Sequence, residues 1–165
     1  MQFTQRFHSQ PEKHSGFFDG ASLAGRRCVD AEYDIDALTD IIIGSAIELH
    51  RQRGPGLLHS VYLLLLAQKL LERNLAVEVE KPVPLSDGTV HVAKAFRADL
   101  VVNDQVVVEV KAIRKITDLE VSQLMTYLRL MDKRVGLIIN FNVAVLKSGV
   151  RRVVNRYVDE EGQLL

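Results

Sequence analysis

The sequence predicts an α/β fold, a mixed sheet flanked by helices, and three observations predict it. Apolar residues keep helical spacing from Asp36 to about Asn74, then switch to a period of two as far as Ala112. Asn103-Asp104-Gln105 interrupts that second stretch as a turn would. Thr117-Asp118-Leu119-Glu120 then has the form of a helix-opening capping box, and residues 135–141 form an apolar run of buried-strand length. The element order is α-α-β-β-β-α-β.

Each element has its own signal. In the first helix Ile43, Ile47 and His50 share a face, and Gly54-Pro55-Gly56 stops the chain. The second runs over residues 58–74, with His59, Tyr62, Leu63, Leu66 and Leu70 along one side and Lys69, Glu72 and Arg73 pointing away. Residues 77–85 start a strand that Pro82 and Pro84 restrict to a sheet edge. Ser86-Asp87-Gly88-Thr89 turns into a long strand over 90–102, and the next turn leads to a third strand over 106–112. A helix from Thr117 to about Met131, the buried strand 135–141 and a last strand over 150–158 complete the order.

The chain has 165 residues, of which 47% are hydrophobic and 25% charged, room for one domain with tails. Residues 1–34 lack a period and read as a poorly ordered leader, 35–158 as the domain, and 159–165 as a solvated end. Lys plus Arg equals Asp plus Glu at 21 each, so any basic surface must be local. The single cysteine, Cys28, excludes an internal disulfide and a cysteine-rich zinc site. The longest apolar run, 61–67, falls far short of the ~20 residues that span a bilayer. No secretory signal is visible, and the cytoplasm is the expected compartment.

The chemistry lies between Arg97 and Lys111. In a strand Glu109 and Lys111 project from one face, while Val106, Val108 and Val110 take the other. Asp99 joins Glu109 if the turn centres on Asp104, which calls for a three-residue loop or an even loop plus a bulge. Two converging carboxylates suit a hard divalent cation, and a lysine beside them can act on water and phosphate. Taken alone, Asp, a gap, then Glu-x-Lys is weak, because many hairpins carry it as solvated charge. Arg97 shares the face of Asp99, to bind a phosphate or pair with a carboxylate.

Ile43-Gly44-Ser45-Ala46-Ile47-Glu48-Leu49-His50 and Gly54-Pro55-Gly56-Leu57-Leu58-His59-Ser60-Val61-Tyr62 resemble the opening of the GxxExxY protein family. The likeness continues through Phe96-Arg97-Ala98-Asp99, Glu109-Val110-Lys111-Ala112, Gln123-Leu124-Met125-Thr126-Tyr127-Leu128 and Gly136-Leu137-Ile138-Ile139-Asn140-Phe141. It ends near Arg151-Arg152-Val153-Val154-Asn155, so it covers about 38–155 in order. That family is assigned to the PD-(D/E)XK nuclease superfamily. The resemblance implies a restriction-endonuclease-like αβββαβ core preceded by an extra N-terminal helix. It implies Asp99 and Glu109 as ligands of Mg²⁺ or Mn²⁺, the Val110 carbonyl as a further donor, and Lys111 as the catalytic lysine. Its substrate would be nucleic acid, DNA ahead of RNA, and a homodimer is compatible with it.

One departure stands out: histidine, His59, occupies the place of the family's glutamate. Similarity to RecB-like nucleases, which place a histidine ligand before the sheet, makes His59 a candidate ligand and tilts preference toward Mn²⁺. The Gln-x-x-x-Tyr motif of that branch is matched by Gln123 and Tyr127, four apart on one helical face, as substrate-contacting residues. The plainer readings are a half-buried His59, a satisfied core His50, an ion-paired Glu48, and packing roles for Tyr62 and Tyr127. Lys147, Arg151, Arg152 and Arg156 form a basic cluster that reads as a solvated strand and loop. No phosphate loop, nucleophile elbow or dinucleotide fingerprint is present. Two functions remain: a metal-dependent phosphodiesterase, and a non-catalytic nuclease-fold module that binds nucleic acid or a protein.

Overall fold

A computed structural model describes residues 34–155; the leader (to residue 33), Arg156 and the solvated end lie outside the described residues. Helices α1 (Ile35–Arg53) and α2 (His59–Glu72) precede strands β1 (Val77–Asp87), β2 (Val90–Val102) and β3 (Val106–Lys111). Helix α3 (Asp118–Leu130), strand β4 (Val135–Asn140), a 3-10 turn (Leu146–Gly149) and β5 (Val150–Val154) follow. The five strands form one sheet in sequence order, with β1 at an edge as the prolines require. Neighbours are antiparallel except β3 and β4, which α3 joins as a parallel pair. This is the α/β sandwich with a mixed sheet that the sequence predicts. Among the described residues no helix is long and apolar enough to cross a membrane.

Two cores cover the sheet. Leu38, Ile42, Tyr62, Leu66 and Leu70 of α1 and α2 pack on Leu100, Val108, Val110 and Ile139. On the other face Leu124, Tyr127 and Leu128 of α3 pack on Val101, Val107 and Ile138. At ~25 cal/mol per Å² each fully buried Leu or Val contributes about 1.5–3 kcal/mol.

Three side-chain expectations need correction. The inward face of α1 is Leu38, Ile42, Ser45, Ala46, Leu49 and His50, and Ile43 and Ile47 are only half-buried. Ser45 tolerates burial on that face because its hydroxyl donates to the Ile41 carbonyl at 2.7 Å. Lys69 and Arg73 do not point away but reach Glu48 at 3.0 and 2.7 Å, clipping α2 to α1. Arg73 also donates to the Ser45 hydroxyl.

Strand β2 holds the third. Leu100 and Val102 face the α1–α2 core, whereas Phe96, Ala98 and Val101 face α3, so the alternation reverses at Asp99. Across from it on β1, Glu80 adopts φ 53°, between Val79↔Leu100 and Lys81↔Ala98 in the pairing. A left-handed residue in a strand turns its neighbours over, as a bulge does. Arg97 therefore does not share a regular face with Asp99.

Candidate active site

The β2–β3 turn sets the site. Asn103 and Asp104 take φ 50° and 53°, conformations that short polar side chains tolerate, and Gln105 N donates to Val102 O at 3.0 Å. The loop is thus the three residues 103–105, and Leu100↔Val108, Val101↔Val107 and Val102↔Val106 pair across it. The Asn103 side chain accepts from Ala76 N at 2.8 Å, anchoring the turn to the start of β1.

The next step along that register brings Asp99 to Glu109. Asp99 N donates to Glu109 Oε1 at 3.3 Å, and Val110 N donates to Asp99 Oδ2 at 2.9 Å. Lys111 Nζ donates to Glu109 Oε2 at 2.9 Å. Two carboxylates and one ammonium therefore meet where the sequence places them.

Electrostatics make this a tense group. Burial, then the Asp99 charge, pushes the Glu109 carboxyl above the usual range, against the pull of Lys111. Burial alone would lower the Lys111 ammonium, but the charges of Glu109 and Asp99 outweigh it and raise its pKa. Lys111 is consequently a proton-bearing donor at neutral pH.

His59 opens α2, and its Nε2 donates to Asp99 Oδ2 at 3.0 Å. It is not on the buried side, since 44% of its side chain is exposed. As placed, the imidazole acts on Asp99; coordination would require the nitrogen to exchange that bond for an ion.

The Gln123–Tyr127 pair lies within electrostatic reach of the Asp99–Glu109–Lys111 group, whereas Arg97 turns to β1. Gln123 is exposed and donates to the Tyr127 hydroxyl at 2.6 Å. Tyr127 is buried under Phe96, and burial followed by the Glu109 charge raises its pKa. Arg97 pairs with Glu80 at 3.2 Å, with 65% of its side chain exposed. Of the basic cluster, Arg152 pairs with Asp36. His50 is a satisfied core residue whose Nε2 donates to Val143 O at 2.9 Å.

Asn140 was missed. Fully buried opposite Lys111, its side chain accepts from Ile113 N at 3.1 Å and donates to Ile113 O at 2.8 Å. It holds the backbone just beyond Lys111. Its signal was visible as a polar residue at the strand end of an apolar run.

The donor set fits a hard divalent cation that keeps much of its water. Such ions take one or two carboxylates, and mutual repulsion between Asp99 and Glu109 is the charge a cation would relieve. Among the described residues no group of three or more His, Cys, Asp or Glu side chains is arranged to hold an ion.

A family model described as the PD-(D/E)XK nuclease superfamily matches residues 36–153, most of the chain. No curated protein and no solved structure matches it.

Proposed function

The chain belongs to the PD-(D/E)XK nuclease superfamily, and on that premise we propose that it hydrolyses phosphodiester bonds in nucleic acid with Mg²⁺ or Mn²⁺, on DNA ahead of RNA. The observation that carries this is the meeting of Asp99, Glu109 and Lys111 across the β2–β3 hairpin. Asp99 and Glu109 hold the ion in this reading, with the Val110 carbonyl as a further donor. The bound cation supplies Lewis acidity toward a phosphoryl oxygen and acidifies its water. Lys111, steadied by Glu109, donates to the nucleophilic water or a phosphate oxygen and offsets developing negative charge. Gln123 turns its amide from Tyr127 to the substrate, and Arg97 can exchange Glu80 for a phosphate. We read the chain as a cytoplasmic member of the GxxExxY type, with His59 in the glutamate position.

A second reading, a non-catalytic module that binds nucleic acid or protein, draws on His59, whose nitrogen engages an oxygen a metal would use. Cleavage decides between them. Wild-type protein stripped with chelator should cleave labelled DNA only after Mn²⁺ or Mg²⁺ is restored, and Asp99→Ala should not. Binding of DNA without cleavage under either metal would favour the module.

A further inference from the structure

We propose that the Tyr62 hydroxyl is a positioning group for the carboxylate site: it fixes the loop 54–57 and thereby sets His59 against Asp99. The loop is held at its ends, by the Gly54 amide on His50 O at 2.7 Å and by Leu57 against the core. Gly54 and Gly56 take φ 66° and 106°, and Leu58, the N-cap of α2, makes no side-chain capping bond. Tyr62 joins those two ends. Its hydroxyl donates to Gly54 O at 2.6 Å and accepts from Leu57 N at 3.1 Å, closing the loop from inside.

The ring is anchored independently of that hydroxyl. Tyr62 is fully buried and stacks on Phe141, with centroids 4.4 Å apart and planes 10° apart. Phe141 N donates to Lys111 O at 2.8 Å, so the stack is tied to the backbone that carries Lys111. His59 is the first residue of α2, three before Tyr62, so the loop that the hydroxyl closes leads directly into it. A residue that only filled the core would need the ring and not the oxygen. The oxygen instead serves the turn that delivers His59.

The placement of His59 stands on these bonds; only its effect on the cation rests on the proposed function. In metal-free protein, His59 and the Val110 amide both donate to Asp99 Oδ2, so a nuclear Overhauser effect should join the ring to that amide. Tyr62→Phe keeps the stack and removes the hydroxyl. It should abolish that effect and speed hydrogen exchange at the Leu57 amide by about tenfold or more. Leu57→Pro, which removes the donor from the loop side and so leaves no Leu57 amide to exchange, should likewise abolish the Overhauser effect should Tyr62→Phe not fold. Phe141→Leu leaves the hydroxyl bonds in place and should keep the effect despite lower stability. In Mn²⁺ titrations Tyr62→Phe should weaken binding roughly tenfold, as loss of a ligand's supporting bond does, and add nothing in a His59→Ala background. The proposal falls if Tyr62→Phe leaves the His59–Val110 effect intact. It also falls if Phe141→Leu abolishes that effect equally, or if the hydroxyl matters as much without His59. Wild-type protein that binds no Mn²⁺ yet shows the predicted loss in Tyr62→Phe would overturn the proposed function and leave the positioning role standing.

Discussion

Asp99→Asn separates the site's cost to the fold from its use. Asparagine preserves the side-chain shape and an acceptor for the Val110 amide, and it removes one negative charge beside buried Glu109. Unit charges ~4 Å apart at an effective dielectric of ~20 interact by ~4 kcal/mol. The Lys111 ammonium offsets much of the repulsion, so the metal-free variant should gain about 1 kcal/mol. The pH dependence follows from Glu109. Its folded pKa is raised, so the folded state holds the proton more tightly than the unfolded one. Metal-free stability should therefore fall as pH rises from the ordinary carboxylate range through the raised value, and recover as pH falls. Asp99→Asn should narrow that window without closing it, because burial remains the larger cause. Urea unfolding across pH, in chelator and again in Mn²⁺, reads all of this. At 100 times Kd, Mn²⁺ should stabilise wild type by about 2.7 kcal/mol and the variant by almost nothing. A variant that loses stability without metal, or gains as much from Mn²⁺ as wild type, refutes the reasoning.

Lys111→Ala should lower cleavage by roughly 10²–10⁴-fold while Mn²⁺ affinity by calorimetry changes little; loss of metal equal to that in Asp99→Ala contradicts its role on water and phosphate. His59→Glu should shift the ratio of Mn²⁺ to Mg²⁺ affinity toward Mg²⁺, and equal ratios in wild type, His59→Ala and His59→Glu would remove His59 from the site. Gly136→Ala would place a Cβ 2.8 Å from Leu124 Cδ1 in the α3 core and should cost about 1–3 kcal/mol by thermal unfolding, with cation binding unchanged.

Much of this was legible because the deciding signals are local. The turn 103–105 fixed where Asp99 meets Glu109, since strand period and loop length together determine register. The Thr117 capping box, with both of its reciprocal bonds formed, marked the start of α3. What was not legible depends on other elements. The reversal of β2 at Asp99 comes from the left-handed Glu80 on the neighbouring strand, and no residue of β2 announces it. The buried face of α1 is set by what Leu38, Ile42, Ala46 and Leu49 pack against, and Ser45 can join it because its hydroxyl is satisfied on its own helix. Lys69 and Arg73 had partners on α1 that helical spacing within α2 could not reveal. Arg97 was misread by extending strict alternation through an irregular strand.

The most direct test is an anomalous difference map from crystals grown in saturating Mn²⁺. The account predicts one peak bonded by carboxyl oxygens of both Asp99 and Glu109, with Lys111 beside it, and no such peak in Asp99→Asn. A Mn²⁺ peak elsewhere with none between the two carboxylates, or one that survives in Asp99→Asn, would contradict it.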